Sequence, residues 1–77
     1  MPADTHQIAA EMHEQAAHAH RVAAAHHGKQ DHLTGHEAST DAMNHAIRAF
    51  HQSQEAHRKS ARLAGKPEVE FPAVGLI

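Results

Sequence analysis

The sequence predicts an all-α protein: an antiparallel helical hairpin that dimerises into a four-helix bundle and carries an extended C-terminal tail. Three observations predict this fold. Alanine and serine recur at intervals of seven through two long segments, a glycine follows each segment, and the composition changes abruptly near the C-terminus. Small side chains let two helix axes approach closely, which favours antiparallel helices joined by a short connection.

The first helix is predicted over about residues 5–27. Asp4 is expected to cap its N-terminus with Gln7 completing a capping box, and Gly28 is expected to end it in a left-handed conformation. Small and apolar residues form its stripe: Ala9, Ala16 and Ala23, beside Met12, Ala19 and His26, with Ile8 and Val22 at the edge. This is the pattern of a helix packed on another helix.

The second helix is predicted over about residues 36–64, and two starts compete for it. Asp31 can cap a helix that begins at the next residue. Alternatively, Thr34 and Glu37 form a capping box that leaves His32 and Leu33 in the connection. We favour the second start, with an earlier turn preceding it.

Gly65-Lys66-Pro67 is expected to end the second helix. Three heptad rows run through it: Ser39, Ala46, Ser53 and Ser60; Ala42, Ala49, Ala56 and Leu63; Met43, Phe50 and His57.

The bulky apolar residues of the two helices are too few to be buried within a lone hairpin. Ordering the chain costs on the order of 100 kcal/mol, at about 1.5 kcal/mol per residue, which so little burial does not offset. We therefore predict a two-fold symmetric homodimer.

Residues 1–65 form the predicted hairpin and residues 66–77 the tail. The tail contains branched, aromatic, proline and glycine residues, and it is expected to be extended. Leaving such a segment in water is costly, so two roles are open. It packs as an arm on its own hairpin or on the partner subunit, or it docks onto a different protein. We favour the arm.

Eleven histidines and no cysteine, tryptophan or tyrosine make imidazole the main chemical feature of the chain. Without cysteine there is neither a disulfide nor a thiolate metal site. The N-terminus lacks the pattern of a secretory signal, and no run is long enough to span a bilayer, so we expect a cytoplasmic protein. No serine or cysteine nucleophile, phosphate-binding loop or oxyanion hole is recognisable, and we expect no enzymatic activity.

The formal charge is −2 with histidine neutral, which predicts neither nucleic acid nor membrane as a partner. The late basic residues, Arg58, Lys59, Arg62 and Lys66, are interpreted as a favourable charge bias at a helix C-terminus. Protonating all eleven histidines changes the charge from −2 to +9 (−2 + 11). The surface charge therefore depends strongly on pH.

Metal binding within one helix requires ligands three or four residues apart, because residues seven apart lie about 10 Å apart along the axis. That distance argues against a shared ion for the heptad row of His6, His13, His20 and His27, which we interpret as polar residues flanking the small-residue stripe. The candidate pairs with suitable spacing are Glu14 with His18, His32 with His36, Asp41 with His45, and His51 with Glu55. These nitrogen and oxygen ligands suit zinc, nickel or divalent copper. The same spacing is also typical of ordinary ion pairs.

His26 and His57 fall on the predicted helix contact, where we expect buried or cross-helix hydrogen-bonded imidazoles. Two functional hypotheses follow from the histidines together. In the first, a small dimeric helical protein binds or buffers transition-metal ions. In the second, a structural or interaction module responds to pH through the same imidazoles.

The run from Ala9 to His27, followed by Lys29-Gln30-Asp31-His32 and later Ala56-His57, resembles a group of short bacterial Ala/His-rich helical proteins of uncharacterised function. The resemblance covers most of residues 6–61. It implies a bacterial helical hairpin and carries no activity, ligand or site. The chain departs from the group where single histidines replace doublets and in its apolar tail.

Overall fold

The computed structural model describes residues 2–66 as two helices that form a hairpin. Helix α1 spans Pro2–Gly28, helix α2 spans His32–Leu63, and the two pack against each other along their length. The described residues contain no strand, which confirms the all-α prediction. The predicted tail lies outside the described residues, apart from Lys66.

Helix α1 begins earlier than its capping residues predicted. It starts at Pro2 and places Asp4 inside the first turn. Proline fits the first helical position because that position needs no backbone N–H partner and the ring already fixes a helical φ. The carboxylate of Asp4 then faces the positive end of the helix dipole, where it remains favourable without acting as the cap.

The end of α1 shows that the left-handed conformation predicted for Gly28 was wrong. Gly28 is the last helical residue, and Gln30 has the positive φ, at 63°. The backbone N–H of Asp31 donates to the carbonyl of His26 at 2.9 Å, and that of Gln30 donates to His27 at 3.0 Å. This pair of bonds closes the helix end as a Schellman motif, which places the left-handed residue two positions beyond Gly28.

Placing glycine at position 30 and alanine at position 28 is expected to stabilise the hairpin. Gln30→Gly relieves the left-handed strain, which costs roughly 1–2 kcal/mol for a residue with a Cβ. Gly28→Ala adds about 1 kcal/mol of helix propensity, and a Cβ there meets nothing within 4 Å. Urea unfolding followed by circular dichroism measures both gains. Gln30→Ala is the control, because it keeps a Cβ at the left-handed position. An unchanged midpoint for Gln30→Gly would rule out strain at this turn.

Helix α2 uses the earlier of the two competing starts. Asp31 is its N-cap, and a carboxylate oxygen accepts the backbone N–H of Thr34 at 3.3 Å. His32 and Leu33 are therefore helical, not part of the connection as favoured. The helix ends as predicted, because Gly65 adopts a φ of 72° and the N–H of Lys66 donates to the carbonyl of Ala61 at 2.9 Å.

Small side chains form the contact between the helices, and we call this contact the alanine seam. Its buried members are Thr5, Ala9, Ala16 and Ala23 of α1 and Gly35, Ala42, Ala49, Ala56 and Ala61 of α2. The three central α2 alanines are 0% exposed, so no space remains at these positions for a larger side chain. The predicted heptad rows of alanine therefore form the core, with Gly35 extending the α2 row by one heptad.

Large apolar side chains lie outside the seam. Leu63 was predicted to continue the α2 row, but it is 73% exposed. It is the last residue of α2, at the end of the hairpin where α1 begins. Met43 and Ile47 are 60% and 52% exposed, and no large side chain among the described residues is fully buried.

Neither described helix combines the length and apolar character that crossing a membrane requires.

Candidate metal-binding site

Two of the four predicted ligand pairs, one from each helix, border the same groove between α1 and α2. Glu14 and His18 come from α1, whereas Asp41 and His45 come from α2. The groove has a volume of about 670 Å³. Its other lining residues are Glu11, Gln15, Ala19, Val22 and Ala38. Helical spacing defined each pair, and the hairpin brings the two pairs to one groove.

The alanine seam explains why Asp41 and Val22 share one side of the hairpin. Asp41 directly precedes Ala42. Successive residues of an α-helix are rotated by about 100° around its axis, so Asp41 lies to one side of the contact that Ala42 makes. Val22 precedes Ala23 in the same way on α1. Because both border the groove, the residues that precede the seam alanines on the two helices face the same side.

Carboxylate and imidazole ligands in this groove suit zinc, nickel or divalent copper. Within residues 2–66, no three such side chains are close enough together to hold one ion. Glu14, His18 and Asp41 are exposed and His45 is half-buried, so their rotamers are not fixed by packing. The groove therefore presents ligands of the right chemistry, but no three of them converge on one point in the described residues.

The pair of His51 and Glu55 has other contacts. The carboxylate of Glu55 lies 3.8 Å from Arg58 and 3.9 Å from Lys59, both on the next turn of α2. The ring of His51 lies edge-on to Phe50, with ring centroids 6.2 Å apart. Glu55 therefore contacts cations three and four residues later in α2, and these two cations compete with a metal ion for its carboxylate.

His32 faces His27 across the turn. The two Nδ1 atoms are 2.8 Å apart and the ring centroids 5.0 Å apart. The pairing of His32 with His36 was predicted from helical spacing, whereas His27 lies five residues before His32 and on the other helix. The sequence carried no signal for this contact, because it depends on the left-handed Gln30 that reverses the chain.

Gly35 makes room for the ring of His27. A Cβ built on Gly35 would lie 2.8–2.9 Å from three atoms of that ring, which is closer than van der Waals contact permits. The ring therefore rests directly on the backbone of α2, in the turn that follows the Asp31 cap. The imidazole of His27 is exposed, and Gly35 and His32 are the neighbours that it contacts.

His26 and Asp31 form a second contact across the turn, with Nδ1 and the carboxylate oxygen 3.3 Å apart. The backbone N–H of Thr34, followed by smaller contributions that include His26, holds the pKa of the Asp31 carboxyl below its ordinary value. A lowered carboxyl pKa adds stability above the ordinary value, and this stability is lost as the pH falls through the lowered one. The stability that the Asp31 cap adds is therefore lost only below the ordinary range of an aspartate carboxyl, away from the imidazole range.

The remaining histidine predictions have mixed outcomes. His26 is half-buried but bonds to the turn, not across the helix contact, and His57 is exposed, so neither is a buried seam imidazole. From the heptad row, His13 Nε2 lies 2.7 Å from Ser53 Oγ on α2. This bond joins the helices on the flank of the seam, as expected for polar residues beside it.

No family model, curated protein or solved structure matches the chain. The resemblance to short bacterial Ala/His-rich proteins therefore stays a prediction.

Proposed function

We propose that this protein binds and buffers divalent transition-metal ions, with zinc, nickel and copper as the candidates, and that it has no enzymatic activity. One observation carries the proposal: Glu14 and His18 border the same groove as Asp41 and His45. Two imidazoles and two carboxylates are a ligand set that these ions accept. The combination arises only when the hairpin forms.

Solvent exposure of the ligands supports buffering over permanent structural binding. A structural zinc site holds four ligands in a closed shell, whereas the ligands here keep rotamer freedom and lie at the surface. Immobilising each side chain costs about 0.5–1.5 kcal/mol, which weakens binding and speeds release. We therefore expect micromolar affinity and rapid exchange.

The groove is tested by isothermal titration calorimetry of tag-free protein with nickel and zinc at about pH 7.5, where imidazole is largely neutral. Wild-type protein is expected to bind saturably with a dissociation constant below about 10 µM, roughly 7 kcal/mol. The variant His18→Gln/His45→Gln removes both groove imidazoles and is expected to bind groove metal at least about tenfold more weakly, about 1.4 kcal/mol.

The matched control is His6→Gln/His20→Gln. It also removes two exposed α1 histidines, but neither borders the groove. We expect wild-type binding from this control. Equal losses in the two double variants would show that histidine number, and not the groove, determines uptake.

The geometry also favours a second function, a pH-responsive module, because of the contact between His27 and His32. A hydrogen bond between two Nδ1 atoms needs one donor and one acceptor, so it cannot form when both Nδ1 atoms carry a proton. Protonating both would set two N–H groups against each other across the turn. Acidification would then weaken the turn, although it would strengthen the contact between His26 and Asp31.

We also propose that the functional unit is a homodimer forming a four-helix bundle. Met43 and Ile47 lie four residues apart on α2, more than half exposed, and Phe50 continues the same face. Apolar side chains at such intervals are typical of a helix that packs against a partner. The alanine seam buries only small residues, so the second contact would supply the missing apolar burial.

A further inference from the structure

We propose that His27 and His32 form a metal site at the turn, selective for divalent nickel or copper, which fastens α1 to α2. This inference rests on the proposed function but names a different place from the groove. The site consists of the two Nδ1 atoms that now lie 2.8 Å apart. Water completes the coordination shell, since no third protein ligand among the described residues is close enough.

The separation of the two nitrogens selects the metal geometry. Two ligands at a right angle, with bonds of about 2.1 Å, are about 3.0 Å apart, whereas two ligands of a tetrahedral ion are about 3.4 Å apart. The observed 2.8 Å is therefore close to the separation that square-planar or octahedral coordination requires. Each ring must also turn by about 45°, so that its lone pair points at the ion and not at the other nitrogen. Nickel and divalent copper adopt these geometries, whereas zinc in proteins is mostly tetrahedral.

The proton balance of the site follows from the hydrogen bond. One neutral ring carries its proton on Nδ1 and donates to the lone pair of the other Nδ1. When a metal binds, both Nδ1 lone pairs coordinate it, and the donor ring moves its proton to Nε2 through solvent. No proton is released from a neutral pair, whereas a pair holding one extra proton releases one. Acid therefore competes with the metal.

Packing holds the two imidazoles close together before a metal ion binds. His27 rests on Gly35, and His32 is held at the first position of α2 behind the Asp31 cap. The neighbouring ionisable groups are His26 and Asp31, which contact each other. Because one ligand belongs to each helix, a bound ion resists separation of the helices and stabilises the folded hairpin.

The experiment uses full-length, tag-free protein labelled with ¹⁵N-histidine. Substoichiometric divalent copper is added at about pH 7.5, where imidazole is mostly neutral. The paramagnetic ion is expected to broaden the ring signals of His27 and His32 before those of the other histidines. Nickel is expected to raise Tm. His27→Gln and His32→Gln are each expected to show a smaller rise, because the groove still binds nickel, and to lose at least tenfold in turn-site affinity.

Two further variants keep the test independent of folding. Gly35→Ala retains both imidazoles, but its Cβ displaces the His27 ring, and it is expected to weaken the site in the same way. His20 lies one heptad before His27, and the variant His20→Gln is expected to bind metal like wild type. Circular dichroism verifies that each variant is helical. Wild-type affinity in both the His27 and His32 variants would overturn the turn site.

The groove variant separates the two proposals. His18→Gln/His45→Gln is expected to keep copper broadening at His27 and His32. Loss of all metal binding in that variant, with full binding in the turn variants, would reject the turn site and keep the proposed function. A wild-type protein that binds no metal would reject both.

Discussion

Ala23→Leu is expected to destabilise the hairpin by about 3 kcal/mol, near the upper end of the cost of overpacking a core. Ala23 lies on the alanine seam and is 7% exposed. The added atoms cannot be accommodated by rotating one side chain, because the seam residues of both helices are themselves buried and small. The helices must separate locally, which also removes neighbouring contacts.

Ala24→Leu is the matched control. Ala24 is the next residue of α1 and is exposed, so the same substitution projects into solvent. Leucine is nearly as good a helix former as alanine, and the change is expected to stay within about 0.5 kcal/mol. Urea unfolding monitored by circular dichroism compares the two. Equal stabilities would contradict close packing at the seam.

Met43→Ser/Ile47→Ser is expected to convert a dimer into a monomer. Burying each of these side chains contributes about 1.5–3 kcal/mol, and two-fold symmetry counts every contact twice. A loss of this size raises the dissociation constant by far more than about 100-fold, or 2.8 kcal/mol. Sedimentation velocity at micromolar concentration measures the change.

Leu33→Ser is the control for the dimer. Leu33 is 74% exposed, more than either Met43 or Ile47, but it lies in the first turn of α2, away from them. It is expected to leave the dimer intact. A wild-type chain that is monomeric and fully helical at micromolar concentration would contradict the proposed dimer.

The alanine seam was predictable because heptad spacing defines a helix face regardless of where the helix begins. Ala42, Ala49 and Ala56 were expected at the contact and are all fully buried. Leu63 belonged to the same row but lies at the end of the hairpin, and a periodic pattern carries no information about where the opposing helix ends.

The turn was less predictable because several short-range signals competed there. Asp31 and Thr34 are both good capping residues, and the choice between them depends on where α1 ends. The bond from the N–H of Asp31 to the carbonyl of His26 fixes that end and puts Gln30 in the left-handed conformation. Glycine at position 28 suggested a different end because glycine is the usual left-handed residue.

The candidate ligands also divide into those that spacing within one helix predicts and those that depend on how the two helices meet. Spacing within one helix identified Glu14 with His18 and Asp41 with His45, but whether the two pairs face each other depends on how the hairpin is packed. The contact between His27 and His32 crosses the turn and follows no helical period. Sequence reasoning therefore identifies ligand pairs on a helix, whereas sites made between helices require the structure.

Equilibrium dialysis of tag-free wild-type protein against nickel, at about pH 7.5 and about pH 5.5, tests metal binding by histidine most directly. Imidazole has an ordinary pKa of about 6.5, and its protonated form cannot coordinate a metal ion, so acid competes with metal for such ligands. Saturable, stoichiometric uptake at the higher pH that is largely lost at the lower pH is the predicted result. Uptake that never saturates, or that is the same at both pH values, would contradict it.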